Sequence, residues 1–263
     1  MRSRKMLLVN AIFDVDFLKK HQLYVELGID ENADWSKFEI YQPYVRTIHL
    51  PYDALNLAAR NAAERRRSIE VFKDIIHRAA IFDARTMILH PCGVFSFKGE
   101  DVGEYGFLID SLRELADFAD QRSVIISLEN QVLRHPDLRI IAGCYADEWF
   151  QLHKDVARAN ITLTLDTSHA ASAVAHEEVI GKRYEKLWDF MSKPELITHF
   201  HWSDARLQTN EAQWGDMHLT PGSGDLPREF HQAIMRHNGS KLFEQNCPPE
   251  VMESALAFAR SLL

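Results

Sequence analysis

The chain has 263 residues, of which 46% are hydrophobic and 26% are charged, a composition typical of a folded globular protein. With 30 Lys and Arg against 38 Asp and Glu, the formal net charge is −8. This balance argues against a protein that coats nucleic acid by bulk positive charge. The three cysteines are far apart and form no C-x-x-C pair, so neither a disulfide framework nor a thiolate zinc site is indicated; they are Cys92, Cys144 and Cys247.

The N-terminal apolar run from Met6 to Phe13 is too short to span a membrane and is not followed by a small-residue cleavage site. No other stretch approaches 18 apolar residues. We therefore interpret the run as a first strand, expect no association with a membrane, and expect the protein to be cytoplasmic.

A short apolar run followed by a longer segment of helical periodicity recurs along the chain. Several of the runs are nearly all apolar up to their last residue, which is typical of parallel strands covered on both faces. The pattern predicts eight strands: Leu7–Phe13, Leu23–Leu27, Arg46–Leu50, Thr86–His90, Val124–Glu129, Ile161–Asp166, Ile197–Trp202 and Lys241–Gln245.

Helical spacing of apolar residues, at intervals of three and four, predicts helices between most of these strands. The link from Asp14 to Gln22 is short, and the segment around Pro43 is weak as a helix. The predicted helices are Glu64–Phe82, Gly106–Asp120 and the segments near Asp147–Ala159, Glu178–Met191, Pro227–His237 and Pro249–Leu262.

Eight strands alternating with helices predict a (β/α)8 TIM barrel, as a single domain over residues 1–263. An open, doubly wound sheet is the alternative. Its main support is missing, because no Gly-x-Gly-x-x-Gly opens the first βα turn.

Residues able to bind a metal end nearly every predicted strand from the third onward, which is where barrels place their active residues. So many carboxylates in one mouth would repel one another unless cations lay between them. Mixed imidazole and carboxylate donors suit Zn²⁺, Mn²⁺ or Fe²⁺. The candidate ligands are His49, His90, Glu129, Asp166, His169, His201 and Glu244, with Asp216 and His218 from the loop after the seventh strand.

Each of these residues, like the glycines of the loop after the seventh strand, also has an ordinary structural interpretation. Asp166 is a favoured type of helix cap, Glu129 can pair with an arginine across the barrel, and Gly222 and Gly224 can be turn residues only. These separate interpretations do not explain why six successive strand ends carry such residues.

The pattern resembles the xylose-isomerase-like barrels of AP endonuclease family 2, from about Leu23 to Glu244. In sugar and sugar-phosphate isomerases and epimerases of this superfamily, a Glu, an Asp, a His and a final Glu hold the core metal. The resemblance implies these roles for Glu129, Asp166, His201 and Glu244, with Glu129 and Glu244 as the catalytic pair. It also implies that His169 and Arg206 contact the substrate.

The same superfamily contains endonuclease IV, in which nine ligands hold three zinc ions. The His-x-x-Tyr of that enzyme resembles His49 and Tyr52, and its Gly-x-Gly resembles Gly222 and Gly224. All nine ligand positions have a match here: His49, His90, Glu129, Asp166, His169, His201, Asp216, His218 and Glu244. The DNA-gripping loop has no match, because residues 28–35 are acidic where endonuclease IV is basic and aromatic.

Two enzymatic functions therefore stay open. The first is isomerisation or epimerisation of a sugar or sugar phosphate through a metal-stabilised enediolate. Glu129 and Glu244 would exchange the proton, while the substrate would contact His169, Arg206, Tyr52 and the turn at Gly222 and Gly224. The second is hydrolysis of a phosphodiester, in abasic DNA or a small molecule, by a cluster of two or three ions.

A third possibility is a barrel that uses this site for other chemistry, such as a lyase or dehydratase reaction, or for none. The expected cofactor is one to three divalent ions, of Zn, Mn or Mg. The expected partner is a small carbohydrate or phosphoester, with nucleic acid less favoured. The sequence makes no prediction of oligomeric state.

Overall fold

Eight parallel strands close into a barrel in the computed structural model, which describes residues 5–52, 55–91, 103–133, 135 and 141–263. Cys92 lies outside the described residues. In chain order the strands are β1 (Leu7–Asn10), β2 (Tyr24–Gly28), β3 (Val45–His49), β4 (Thr86–Leu89), β5 (Ile125–Glu129), β6 (Ile161–Asp166), β7 (Ile197–His201) and β8 (Ser240–Phe243).

Each strand pairs with the next in sequence, and β8 pairs with β1 to close the ring. The TIM barrel prediction is therefore confirmed, and the open-sheet alternative is wrong. The first predicted strand extended to Phe13, whereas β1 ends at Asn10. Phe13 is apolar because it packs in the core, stacked on Phe17, and not because it belongs to a strand.

Helices lie between the strands in chain order. They are α1 (Val15–His21), α2 (Ala62–Arg78), α3 (Tyr105–Asp120), α4 (Ala146–Val156), α5 (Thr167–Val174), α6 (Ile180–Asp189), α7 (Arg228–Arg236) and α8 (Pro249–Arg260). The six predicted helices are present with small differences at their ends, and the last turn of the first, Ala79–Phe82, is a 3-10 helix.

Sequence reasoning missed α1 and α5. The side chain of Asp14 caps α1 by accepting a hydrogen bond from the backbone N–H of Phe17 at 2.7 Å. Asp166 caps α5 in the same way, accepting from the N–H of His169 at 2.7 Å. The link between β2 and β3 contains a 3-10 helix, Trp35–Tyr41, in place of a full α-helix.

The strands alternate between two environments, since successive side chains of a strand point to opposite faces. On β7, Phe200 packs into the hydrophobic core while His199 and His201 lie on the other face. Helix α3 buries Leu108, Leu112 and other apolar residues against the sheet. Burial of each leucine contributes about 1.5–3 kcal/mol to the free energy of unfolding. The outer face of the sheet thus packs against the helices, and the face that points into the barrel is available for polar residues. None of the helices in the described ranges is both long and apolar enough to cross a membrane.

Candidate metal centre and active site

The carboxyl ends of the strands bring all nine predicted ligands to one mouth of the barrel. Glu129, Asp166 and His201 are the last residues of their strands, and Asp166 is the direct register partner of His201. His169 lies in the first turn of α5. The others are His49 at the end of β3, His90 after β4, Glu244 after β8, and Asp216 and His218 on the loop between β7 and α7.

Four of these residues form a core that surrounds Nδ1 of His201. Oε1 of Glu129 lies 3.1 Å from this nitrogen, Oε2 of Glu244 lies 3.3 Å from it, and Oδ2 of Asp166 lies 3.7 Å from it. Among the described residues, none of these four atoms has a hydrogen-bond partner, although all are buried. Buried donors that converge in this way fit a divalent cation, because one ion would satisfy them together.

A second group of donors meets the other oxygen of Glu129. Its Oε2 lies 3.2 Å from Nε2 of His49 and 3.1 Å from Nε2 of His90. The far nitrogen of His49, Nδ1, contacts the carbonyl of Leu50 at 2.8 Å. The carboxylate of Glu129 therefore joins two neighbouring sets of imidazoles.

The third group lies at the rim of the mouth. Nε2 of His169 is 3.4 Å from Oδ2 of Asp216, and Nε2 of His218 contacts the same oxygen. Nδ1 of His218 is 3.6 Å from Oε2 of Glu244, which links this group to the core. Together the three groups could hold more than one metal ion.

The loop that carries Asp216 and His218 is anchored by a buried carboxylate. Asp204 accepts hydrogen bonds from the backbone N–H groups of Ala205 at 2.8 Å, Gly222 at 2.9 Å and Leu226 at 3.1 Å. On its other side, Asp204 lies 3.3 Å from Nε2 of His231. The N–H of Gly222 is thus engaged within the protein.

The two predicted glycines of this loop are required by close packing. Gly222 has a φ of +89°, and a Cβ atom there would lie 2.6 Å from the ring of Phe258. A Cβ atom on Gly224 would lie 2.4 Å from the carbonyl oxygen of Ala205. Only glycine fits at either position without a shift of the loop.

Burial and mutual charge set the protonation of the core. Burial, reinforced by the nearby carboxylate of Glu244, raises the pKa of Asp166 well above its usual value. Burial has the same tendency at Glu129, but the imidazoles of His201 and His90 outweigh it and lower the pKa of Glu129. Burial disfavours the charged form of His201, yet the carboxylates of Glu129 and Glu244 raise its pKa well above the usual value. Protons and metal ions therefore compete for the same donor atoms.

Tyr52 and Arg206, two of the predicted substrate contacts, lie in different surroundings. Tyr52 lies at the mouth, where its ring stacks on His90 with the ring centres 5.4 Å apart. Arg206 lies beside Glu211, with Nε 3.6 Å from a carboxylate oxygen, and about half of its side chain (48%) is exposed.

Sequence reasoning missed two buried polar residues beneath the core. Glu26 lies on β2, and its Oε1 is 3.0 Å from Nε2 of His201 while its Oε2 is 3.1 Å from Nε2 of His199. Burial opposes ionisation of Glu26, but the imidazoles of His201 and His199 lower its pKa well below the usual value. Two signals were present in the sequence: a glutamate inside an otherwise apolar strand, and a second histidine two residues before His201, on the same face of β7.

A depression of about 590 Å³ opens beside the core, next to Glu244 and His218. Leu219 and Cys247 also line it, but most of its other lining residues carry hydroxyl or amide groups: Asn10, Tyr52, Thr220, Ser223, Gln245 and Asn246. Such groups can bind the hydroxyls of a small polar molecule.

Comparison with known proteins agrees with this architecture. Residues 32–262 match the family model described as xylose isomerase-like TIM barrel. The chain belongs to this family.

Among individual proteins, the chain is 26% identical over 242 residues to the uncharacterized protein MJ1614 of Methanocaldococcus jannaschii, covering 88% of this chain and 84% of that protein. Its fold is similar to a crystal structure of a D-tagatose 3-epimerase-like protein, with 20% identity, a TM-score of 0.69, and coverage of 98% of this chain and 99% of that one. It is also similar to D-psicose 3-epimerase crystallised in the presence of D-fructose, with 19% identity, a TM-score of 0.70, and 99% of each chain covered.

Proposed function

We propose that the protein is a divalent-metal-dependent isomerase or epimerase that acts on a small sugar or sugar derivative. The observation that carries the proposal is the placement of two carboxylates around one imidazole nitrogen. Glu129 from β5 and Glu244 from the end of β8 both lie within 3.3 Å of Nδ1 of His201. The names of the two similar structures, a D-tagatose 3-epimerase-like protein and a D-psicose 3-epimerase, support the same class of substrate.

Glu129, Asp166, His201 and Glu244 would hold the ion. When bound, a divalent ion supplies Lewis acidity, which makes a carbon next to a carbonyl more acidic and stabilises the resulting negative charge. Burial alone would keep Glu129 and Glu244 neutral, but neighbouring imidazoles, chiefly that of His201, lower the pKa of each. Both are therefore available as bases.

In the proposed reaction, one of the two glutamates removes the proton from the carbon and the other returns a proton. They reach the substrate from separate strands, with β6 and β7 between them in the ring. The hydroxyl and amide groups of the neighbouring depression bind the substrate's hydroxyls, and His169 contacts the substrate from α5.

Exchange of a carbon-bound hydrogen with solvent tests this function directly. The protein, loaded separately with Mn²⁺, Mg²⁺ or Zn²⁺, is incubated with D-psicose, D-tagatose and D-fructose in D₂O, and the sugars are followed by NMR. We expect deuterium at the carbon next to the carbonyl and formation of an epimer or isomer. Glu244→Gln is the matched control, and an equal rate of exchange with this variant would refute the mechanism.

A second function is favoured by the number of donors. One ion accepts four to six ligands, whereas nine converge here, and Glu129 offers a different oxygen to each of two groups. This arrangement suits hydrolysis of a phosphoester by two or three ions, which would activate a water molecule and stabilise the leaving oxygen. Asp30 and Glu31 line a hollow beside Tyr52, so a small phosphodiester suits this rim better than DNA does.

Metal analysis combined with two substrates separates the functions. Three equivalents of zinc, with hydrolysis of bis-p-nitrophenyl phosphate or cleavage of an abasic oligonucleotide, would support the hydrolase. One equivalent of Mn²⁺ or Mg²⁺, with conversion of a ketose, would support the isomerase. No turnover of any of these substrates by the fully loaded protein would count against both.

A further inference from the structure

Glu26 occupies an unusual position for a charged residue. It lies within β2, between the apolar residues Val25 and Leu27, and only 2% of it is exposed. Its carboxylate contacts β7, which is separated from β2 in the ring by β8 and β1. The side chain therefore reaches across the interior of the barrel, directly beneath the core of the candidate metal site.

Both oxygens of Glu26 are occupied. Oε1 faces Nε2 of His201 at 3.0 Å, and Oε2 faces Nε2 of His199 at 3.1 Å. The hydroxyl of Thr47, on β3, donates a hydrogen bond to Oε2 at 2.6 Å. His199 is in turn held by Ser240 on β8, with Nδ1 and Oγ 2.7 Å apart. Contacts from β7 and β3 thus fix the orientation of the carboxylate, and β8 fixes His199.

His201 differs from two other candidate ligands in the partner of its far nitrogen. Nδ1 of His49 contacts the carbonyl of Leu50. Nδ1 of His169 contacts the carbonyl of Asn130 at 2.7 Å, and its only carboxylate neighbour at this nitrogen among the described residues is the core residue Glu129, at 3.3 Å. In His201 the nitrogen that faces the core is Nδ1, and its far nitrogen faces a carboxylate instead of a neutral carbonyl.

We infer that Glu26 is a positioning residue for the metal ligand His201. Its carboxylate holds the proton of the imidazole on Nε2, which leaves the lone pair of Nδ1 directed at Glu129, Asp166 and Glu244. A carboxylate behind a ligating histidine fixes the tautomer and ring orientation and makes the ligand more basic. The inference rests on the proposed function only in that the core binds a metal ion, and it holds for either reaction.

The inference is tested with Zn²⁺ and Co²⁺ and requires no substrate. Affinity for Zn²⁺ is measured by competition with a chelator at fixed pH, and coordination is followed by the visible absorption of bound Co²⁺. For Glu26→Gln, we expect the same number of bound ions, a 10–100-fold weaker affinity for the ion held by His201, and a changed Co²⁺ spectrum. Glu26→Asp, which keeps the charge, should recover part of the affinity.

Two further variants control for packing. Thr47→Val removes the hydrogen bond to Oε2 and leaves the carboxylate in place, so it should weaken binding in the same direction but less, and it serves if Glu26→Gln fails to fold. Ser127→Ala breaks another buried hydrogen bond inside the barrel, 2.6 Å long between Ser127 and Thr164, and should leave metal affinity unchanged.

Two results would overturn the inference. One is unchanged Zn²⁺ affinity and Co²⁺ absorption in a folded Glu26→Gln protein, which would make Glu26 a packing residue. The other is the loss of one whole equivalent of metal in both Glu26→Gln and His199→Ala, which would make the interior group a metal site of its own. Because no substrate is used, failure of this inference is distinct from failure of the proposed reaction, which the exchange and hydrolysis assays detect.

Discussion

Glu129 and His201 face each other at the centre of the mouth, with Oε1 of the glutamate 3.1 Å from Nδ1 of the histidine and neither side chain exposed to solvent. Such a pair is costly to bury unless it has further partners. The remaining carboxylates add negative charge at the same point, so under the proposed function a bound cation would stabilise the folded protein more than the unfolded chain.

Metal ions should therefore raise the thermal stability. At a free concentration of 100 times the Kd, one ion adds about 2.7 kcal/mol to the free energy of unfolding. We expect the Tm to rise with added Zn²⁺ or Mn²⁺ and to fall with EDTA, as measured by differential scanning calorimetry. Asp166→Asn removes one of the core donors and should show a smaller response; an identical response in both proteins would contradict this placement of the ion.

Glu244→Gln should abolish turnover under either proposed function. The substitution keeps the size of the side chain but removes a base and a metal donor, and general acid–base catalysis contributes about 10²–10⁴-fold to a rate. The assay is kcat on the identified substrate at saturating metal. Glu253→Gln is the matched control, because Glu253 pairs with Lys20 on the surface at 2.7 Å. Full activity of Glu244→Gln would show that both mechanisms are wrong.

His90→Ala should distinguish the two reactions. His90 contacts the second oxygen of Glu129, outside the four-residue core. We expect its loss to abolish a multi-ion hydrolysis and to remove bound metal, but only to weaken a reaction that uses the core ion. Metal content by mass spectrometry and kcat are compared with those of His77→Ala, which alters an exposed histidine of α2. Retention of hydrolysis and of all bound metal by His90→Ala would exclude it as a ligand.

Gly222→Ala should destabilise the loop that carries Asp216 and His218. The positive φ and the approach to Phe258 predict a cost of about 1–3 kcal/mol in the free energy of unfolding, measured by denaturant titration, together with weaker binding of the rim metal. Gly106→Ala is the matched control, since a Cβ atom at this position in α3 meets nothing within 4 Å. There alanine should be neutral or should stabilise the helix by about 0.5–1 kcal/mol. Equal stability of the two variants would contradict the packing described at Gly222.

Lys241 should make stability depend on pH. Its side chain is fully buried and donates hydrogen bonds to the carbonyls of His237 and Gly239. Burial, with the nearby charge of Lys5, lowers the pKa of Lys241 to about 7. Above this pH the unfolded chain still carries the proton and the folded chain does not, so the contribution of Lys241 to stability rises as the pH rises.

The measurement is the free energy of unfolding of the native protein and of Lys241→Met between pH 6.5 and pH 9. The native protein should gain relative to the variant as the pH increases, by at most about 1.4 kcal/mol per unit. Lys19→Met, at an exposed lysine of α1, should show no such trend. A constant difference between native and Lys241→Met across this range would mean that Lys241 is charged in the folded protein.

Much of the fold could be predicted because its signals are local. A buried parallel strand is a mostly apolar run, and in β5 and β6 its end is marked by the first charged residue, Glu129 and Asp166. Helix α5 is not predicted because most of its residues, Thr167 to Val174, are small and every one of them is buried. They show no contrast between an apolar and a polar face, which is the contrast that periodicity detects.

The positions of the candidate ligands could be predicted because a barrel brings its strand ends together regardless of their distance in sequence. The residues that contact these ligands from the barrel interior could not be predicted. Glu26 becomes recognisable only when β2 and β7 are seen to face each other across the interior. Arg206 is close to His201 in sequence, but its position beside Glu211 depends on the course of the loop.

The candidate metal ligands fall into two groups, because some lie on strands and others lie on a loop. Glu129, Asp166 and His201 belong to strands that the whole barrel supports, whereas Asp216 and His218 lie on a loop held by hydrogen bonds to Asp204 and to the hydroxyl of Ser168. A handful of substitutions in that loop can delete or restore the outer pair while every strand stays in register. Under the proposed function, such substitutions would change how many ions the site holds, and with them its chemistry, while the barrel keeps its fold.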